Sequence, residues 1–64
     1  MAVINGERVS IVPQSIAAYL KSAGYNEKRV AVEKNLRIIP RGKWTDEMIG
    51  EDDSIEILNF VGGG

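Results

Sequence analysis

The sequence predicts an α+β domain in which one short helix packs on a mixed sheet. Three observations predict it. Two apolar-containing runs flank Asn5-Gly6, the pair that two-residue hairpin turns favour. One stretch, Ile16 to Ala23, carries apolar residues at helical spacing. The segments after it alternate and are β-branched, which leaves too little helix for repeating βαβ units.

Ala2-Val3-Ile4 and Glu7 to Val12 form the hairpin. With Asn5-Gly6 as its loop, Ile4 opposes Glu7 and Ala2 opposes Val9, so the period of two puts Ala2, Ile4, Val9 and Ile11 on one buried face. Pro13-Gln14-Ser15 opens the helix: Ser15 is a suitable N-cap, and Ile16, Tyr19, Leu20 and Ala23 form one stripe. Gly24 ends it by taking the left-handed conformation, with Tyr25 folding back on the last turn. A helix this short is unstable alone and must lie on the buried face of the hairpin.

Arg29 to Glu33 and Leu36 to Ile39 read as strands joined around Asn35. Pro40 stops the second, and Arg41 to Ile49 is a turn region with a short helix capped by Thr45. Ser54 to Val61 is the last strand. The expected core is Ile4, Val9, Ile16, Leu20, Val30, Val32, Ile55 and Ile57. Residues 1–61 form one domain, and 62–64 are expected to be a flexible C-terminal glycine tail.

Composition narrows the chemistry. A chain of 64 residues buries only about 60% of the surface its unfolded form exposes, so it has one modest core and no room for an internal active site. It contains no Cys and no His, so disulfides, thiolate metal sites and the commonest general base are excluded, and no metal is expected. Eight basic residues against nine acidic ones give a net charge of −1, too little for a nucleic-acid footprint. Met1 to Ser10 lacks the basic start and apolar run of a signal peptide, and no run of about 18 apolar residues occurs. The expectation is a soluble cytoplasmic protein that meets neither membrane nor nucleic acid.

Asp46, Glu47, Glu51, Asp52, Asp53 and Glu56 fall in one stretch without Lys or Arg, just before the last strand ends. The stretch is either a steering field for a basic partner or a solvated loop. Asp52-Asp53 fits a turn better than a catalytic pair, since no base or nucleophile accompanies it. Trp44 reads as an anchor that packs its ring on a strand, and Arg41 and Lys43 read as solvated turn residues.

The glycine run is where chemistry remains. Gly62-Gly63-Gly64 is either a frayed end or a presented one. It follows an apolar strand directly, and Val61 to Gly64 reach about 13 Å when extended, enough to enter a partner's active site. A tail without side chains can thread a narrow channel, and no Cβ shields its terminal carbonyl. The Gly64 carboxylate, with a pKa of about 3.5, is ionised and a poor electrophile until a nucleotide triphosphate activates it. The chain has no phosphate-binding Gly-x-x-x-x-Gly-Lys loop, so a separate enzyme must use the ATP, and no cofactor is expected on this chain. Near the tail, alternation places Leu58 and Phe60 opposite the core side of Ile55 and Ile57. These two, with Val61, are candidate partner-binding residues unless a loop covers them.

Nearly the whole chain resembles the ThiS sulfur carriers. The resemblance is carried by Ile4-Asn5-Gly6-Glu7, Ser15-Ile16 with Tyr19-Leu20, Val30-Ala31-Val32-Glu33 with Asn35, Ile38-Ile39-Pro40-Arg41 with Trp44, Asp53-Ser54-Ile55-Glu56-Ile57 and Phe60-Val61-Gly62-Gly63-Gly64. Leu36 departs from it: the family often has glycine after Asn35, and a bulky residue disfavours a type I′ turn there.

The resemblance implies a ubiquitin-like β-grasp fold and a role in thiamine biosynthesis as a carrier rather than an enzyme. A ThiF-like enzyme would adenylate Gly64, sulfur from a donor of the cysteine desulfurase type would replace the adenylate, and the thiocarboxylate would go to a ThiG-like thiazole synthase. The missing thiol agrees, since a chain without Cys cannot carry sulfur as a persulfide. Alternatives on the same fold are a carrier for molybdopterin, cysteine or tRNA thiolation, or a protein modifier joined to lysines through Gly64. A plain interaction domain with an idle tail is a further one.

Overall fold

A computed structural model describes residues 1–60; Val61 and the Gly62-Gly63-Gly64 tail, with the expectations placed on them, lie outside the described residues. The first hairpin joins β1 (Ala2–Ile4) to β2 (Glu7–Val9) in the expected register, with Ala2 opposite Val9 and Ile4 opposite Glu7. Its loop residues both have positive φ, 52° at Asn5 and 82° at Gly6, as a type I′ turn requires. The strand stops at Val9 rather than Val12. Ile11 still packs on the core, while Val12 is exposed.

A two-residue strand, β3 (Gln14–Ser15), leads into helix α1 (Ile16–Ser22). Ser15 caps it as expected, its hydroxyl accepting from the Ala18 N–H at 3.0 Å. Gly24 is left-handed (φ 84°), and the Tyr25 N–H returns to the Leu20 carbonyl at 2.9 Å.

A 3₁₀ turn at Glu27–Arg29 opens β4 (Val30–Lys34), which pairs with the short β5 (Arg37–Ile38). The turn between them corrects the expectation for Leu36. Asn35 and Leu36 both have positive φ, 51° and 69°, so the type I′ turn forms despite the bulky side chain. Asn35 explains how: its N–H donates to the Ser54 carbonyl at 2.7 Å, its Oδ1 accepts from the Ser54 N–H at 2.9 Å, and its Nδ2 donates to Asp53 Oδ1 at 3.0 Å. These three bonds offset the cost of the left-handed leucine, about 1–2 kcal/mol.

The region after Pro40 also differs from expectation. The helical turn is a 3₁₀ segment at Arg41–Lys43, and no helix starts at Thr45. Instead β6 (Met48–Ile49) pairs antiparallel with β3, and the Ile16 and Ala17 N–H groups donate to the carbonyls of Glu47 and Trp44. The first turn of α1 thus finds its hydrogen-bond acceptors in this segment.

The last strand, β7 (Ser54–Asn59), lies in the middle of the main sheet, whose order is β2-β1-β7-β4-β5. It runs parallel to β1 and antiparallel to β4, which makes the sheet mixed, as expected. The core between sheet and helix holds Ile4, Ile16, Leu20, Val30, Val32, Ile55 and Ile57; Val9 is only partly buried. Ala2, Trp44 and Ile49 complete it. No helix among the described residues is long and apolar enough to cross a membrane.

Candidate functional site

The candidate site is the C-terminal end of β7, because in sequence that strand leads to the glycine run. Two neighbours hold it on different terms. On one side β4 pairs with it along its length, from Lys34 opposite Ile55 to Val30 opposite Asn59, and the Phe60 N–H extends the ladder to the Arg29 carbonyl at 2.7 Å. On the other side β1 ends at Ile4. Asn5 takes over there: its N–H donates to the Ile55 carbonyl at 2.9 Å, and its Oδ1 accepts from the Ile57 N–H at 2.7 Å. A turn side chain thus does the work of a further strand residue and satisfies a backbone donor that would otherwise be left over in the sheet.

The alternation expected of this strand is present. Ile55 and Ile57 are buried, whereas Leu58 and Phe60 are 46% and 53% exposed. No loop of the described residues covers them. Val61, the third candidate, and Gly62, Gly63 and Gly64 lie outside the described residues.

Around Phe60 the structure gathers residues that sequence reasoning left unassigned. Phe60 shares a shallow cleft of about 250 Å³ with Ala31, Ile38, Pro40, Arg41 and Trp44. Ile38 opposes Glu33, which opposes Glu56, so the register puts Ile38 on the same outer face as Leu58. The signal for this lay only in the pairing of β5 with β4, which no local periodicity reveals. Trp44, expected as an anchor against a strand, is part of the main core: its ring is buried and its Nε1–H donates to the Ile39 carbonyl at 2.9 Å. The Arg41 guanidinium lies over the ring, 5.4 Å from its centroid, and reaches the Val30 carbonyl at 3.5 Å. Arg41 is therefore held in place rather than simply solvated.

Glu56 of the acidic stretch shares the outer face of Leu58, while Asp52 and Asp53 sit elsewhere. Asp52 and Asp53 stand at the start of β7, so the six residues of the strand, about 20 Å, separate them from Phe60. Lys34 draws two of the acids together, at 3.0 Å from Glu47 and 3.8 Å from Asp53, and also donates to the Met48 carbonyl at 2.7 Å. Partial burial works against the charge on Asp53. The Gly50 N–H, the Asn35 amide and Lys34 outweigh it and hold the carboxyl below its ordinary range. This cluster closes a turn, as expected of Asp52-Asp53. Among the described residues no group of three or more acidic side chains is placed to hold a metal.

Comparison with known proteins fits this architecture. A crystal structure of the thiamine biosynthesis protein ThiS from Geobacter metallireducens superposes with a TM-score of 0.84 at 22% identity, covering 98% of this chain and 97% of that one. The fold is thus the ubiquitin-like β-grasp. A thiazole synthase of Paramagnetospirillum magneticum is 36% identical over 63 residues, which are 97% of this chain and 19% of that protein. A second thiazole synthase, from Magnetococcus marinus, is 36% identical over 50 residues, 78% of this chain and 15% of its own. The chain therefore spans less than a fifth of the length of these two relatives. The protein ycf40 of Porphyra purpurea is of similar size, 34% identical over 62 residues, with 95% of this chain and 87% of that one covered. The model of the ThiS family matches residues 2–64, from the first strand through the glycine run, and this chain belongs to that family.

Proposed function

We propose that the chain is a sulfur carrier for thiazole formation in thiamine biosynthesis, acting as a co-substrate of other enzymes and not as an enzyme itself. The observation that carries the reading is the family match through Gly64, on a chain whose own side chains include no Cys and no His. The reactive group is the Gly64 carboxylate, and Gly62 and Gly63 let it thread into a partner. A ThiF-like enzyme joins the carboxylate to the AMP moiety of ATP and releases pyrophosphate. The outer sulfur of a persulfide on a donor of the cysteine desulfurase type then attacks the acyl carbon and AMP leaves, and a thiol reductant cleaves the resulting S–S bond to free the thiocarboxylate. The resulting thiocarboxylate delivers its sulfur to a ThiG-like thiazole synthase. Support for that last partner comes from the relatives named thiazole synthase, in which a segment similar to this chain is part of a longer protein. Leu58 and Phe60 form the face on which the adenylating enzyme grips the domain.

Incubation with ATP, a ThiF-like enzyme and a sulfur donor tests the reading. The intact protein should gain the mass difference between sulfur and oxygen, located by fragmentation at Gly64, and deleting Gly64 should abolish the gain. A chain lacking Gly63 and Gly64 that still supports thiazole formation in a thiamine-requiring cell would sink it.

A further inference from the structure

Four asparagines occur in the chain, and only Asn5 is followed by glycine. An asparagine amide is open to attack by the backbone nitrogen of the next residue, and glycine, with no Cβ, leaves that nitrogen unshielded. Asn5 and Gly6 are both exposed, and beyond the chain neighbours nothing lies within 4 Å of where a Gly6 side chain would start. No acceptor among the described residues holds the Gly6 N–H. The turn leads into β2, a mostly exposed edge strand of three residues, so little secures its far side. One clamp stands against attack. Asn5 Oδ1 accepts from the Ile57 N–H at 2.7 Å, while Nδ2 only approaches the Tyr25 hydroxyl, at 3.5 Å. Ring closure pulls Cγ back over its own main chain, which takes Oδ1 off β7 and leaves a strand donor without an acceptor.

We infer that Asn5 is a deamidation site, held in check while Ile57 keeps its amide and released when the hairpin opens, and that the isoaspartyl product loses its hold on β7. A base takes the Gly6 N–H proton, the nitrogen bonds to Cγ, and the Cγ–Nδ2 bond breaks with a proton returned to the leaving ammonia. Water then opens the five-membered imide on one side or the other. Opening at Cγ gives aspartate, whose carboxylate still accepts from the Ile57 N–H. Opening at the main-chain carbonyl gives isoaspartate, which routes the chain through Cβ and Cγ and lengthens it by one atom. The two-residue loop then no longer fits the pairing of Ile4 with Glu7, and the oxygen that gripped Ile57 belongs to the main chain. Asn35 supplies an internal comparison. It stands in a turn of the same kind and grips the same strand, but Leu36 follows it and three bonds hold it. Nothing in this chemistry depends on the sulfur-carrier reading.

The test incubates the full chain at mildly alkaline pH, folded in buffer and unfolded in urea, and follows the mass change from amide to acid, with fragmentation assigning it to Asn5, Asn26, Asn35 or Asn59. In urea the loss should be fastest at Asn5. In buffer it should be slower there by about tenfold or more, the factor set by leaving the Ile57 N–H unsatisfied. Leu36→Gly should make Asn35 reactive in urea and leave it protected in the folded chain. After ageing in urea, separation and refolding, the isoaspartyl form should melt well below the parent. Asn5→Asp, which keeps an acceptor for Ile57, should melt within a few degrees of the parent. Equal rates in buffer and in urea would overturn the clamp, and loss spread evenly over the four asparagines in urea would overturn the site. An isoaspartyl chain that melts with the parent would overturn the consequence for β7, as would Asn5→Asp melting as low as the isoaspartyl form.

Discussion

The two ends of β7 are finished in opposite ways. At Ser54 a set of polar groups is answered from within the chain: Asn35 bonds to Ser54 and Asp53, Asp53 accepts from the Gly50 N–H at 2.8 Å, and Lys34 ties Asp53 to Glu47 and Met48. At Phe60 the backbone is paired on the β4 side, while apolar side chains are exposed and the Arg41 guanidinium, held by Trp44 and the Val30 carbonyl, has no carboxylate partner among the described residues. Groups satisfied internally contribute to folding. Exposed apolar surface adds less to folding, and surface of that kind commonly marks a contact.

The comparison makes each end respond to a different measurement. The largest expected effect is at the open end: Leu58→Asp and Phe60→Asp should weaken binding of the adenylating enzyme by about 2 kcal/mol or more while leaving the melting temperature within a few degrees of the parent's. Equal affinity for both variants would place the contact elsewhere. At the closed end, Asn35→Ala should cost about 1–3 kcal/mol of stability in denaturant titration, because it strips partners from the Ser54 N–H and from Asp53. Binding per folded molecule should not change.

A pH series sharpens the same point. The Asp53 carboxyl is held below its ordinary range, so its contribution to stability is complete above about pH 4, where the unfolded carboxyl is ionised, and fades as pH falls through the folded value. The stability gap between the parent and Asp53→Asn should therefore close on acidification; a gap that stayed constant would assign it to packing instead. The smallest effect is at Leu36, where glycine relieves a φ of 69°. Leu36→Gly should stabilise by up to about 1 kcal/mol, since part of the relief is offset by the greater freedom of glycine in the unfolded chain.

What the sequence reveals follows the range over which each feature is determined. The Asn5-Gly6 hairpin, the Ser15 cap, the Gly24 stop and the alternation that exposes Leu58 and Phe60 depend on neighbours within a few residues, and all are present. The pairing of Gln14–Ser15 with Met48–Ile49, which buries Ile49 and Trp44, joins segments too short to show a period. Leu36 misleads for a related reason. Its own preference opposes the turn, and the bonds that override it come from Asn35 to residues on a distant strand. Arg41 looks idle in a turn until β4 and β5 bring Val30, Ile38 and Phe60 beside it.

The central place of β7 has a consequence for the order of events during synthesis. Among the described strands, the one that joins the two halves of the sheet is made after the others. A nascent chain that has emerged only as far as Asp53 holds the β1-β2 hairpin, a helix of two turns and the β4-β5 hairpin, with nothing between the two hairpins. Isolated hairpins and short helices are marginal in water, so the core closes only when Ile55 and Ile57 slide between β1 and β4. Completion of the fold and arrival of the strand that leads to the glycine run are thus one event. A partly made chain has neither a finished domain nor the glycine run.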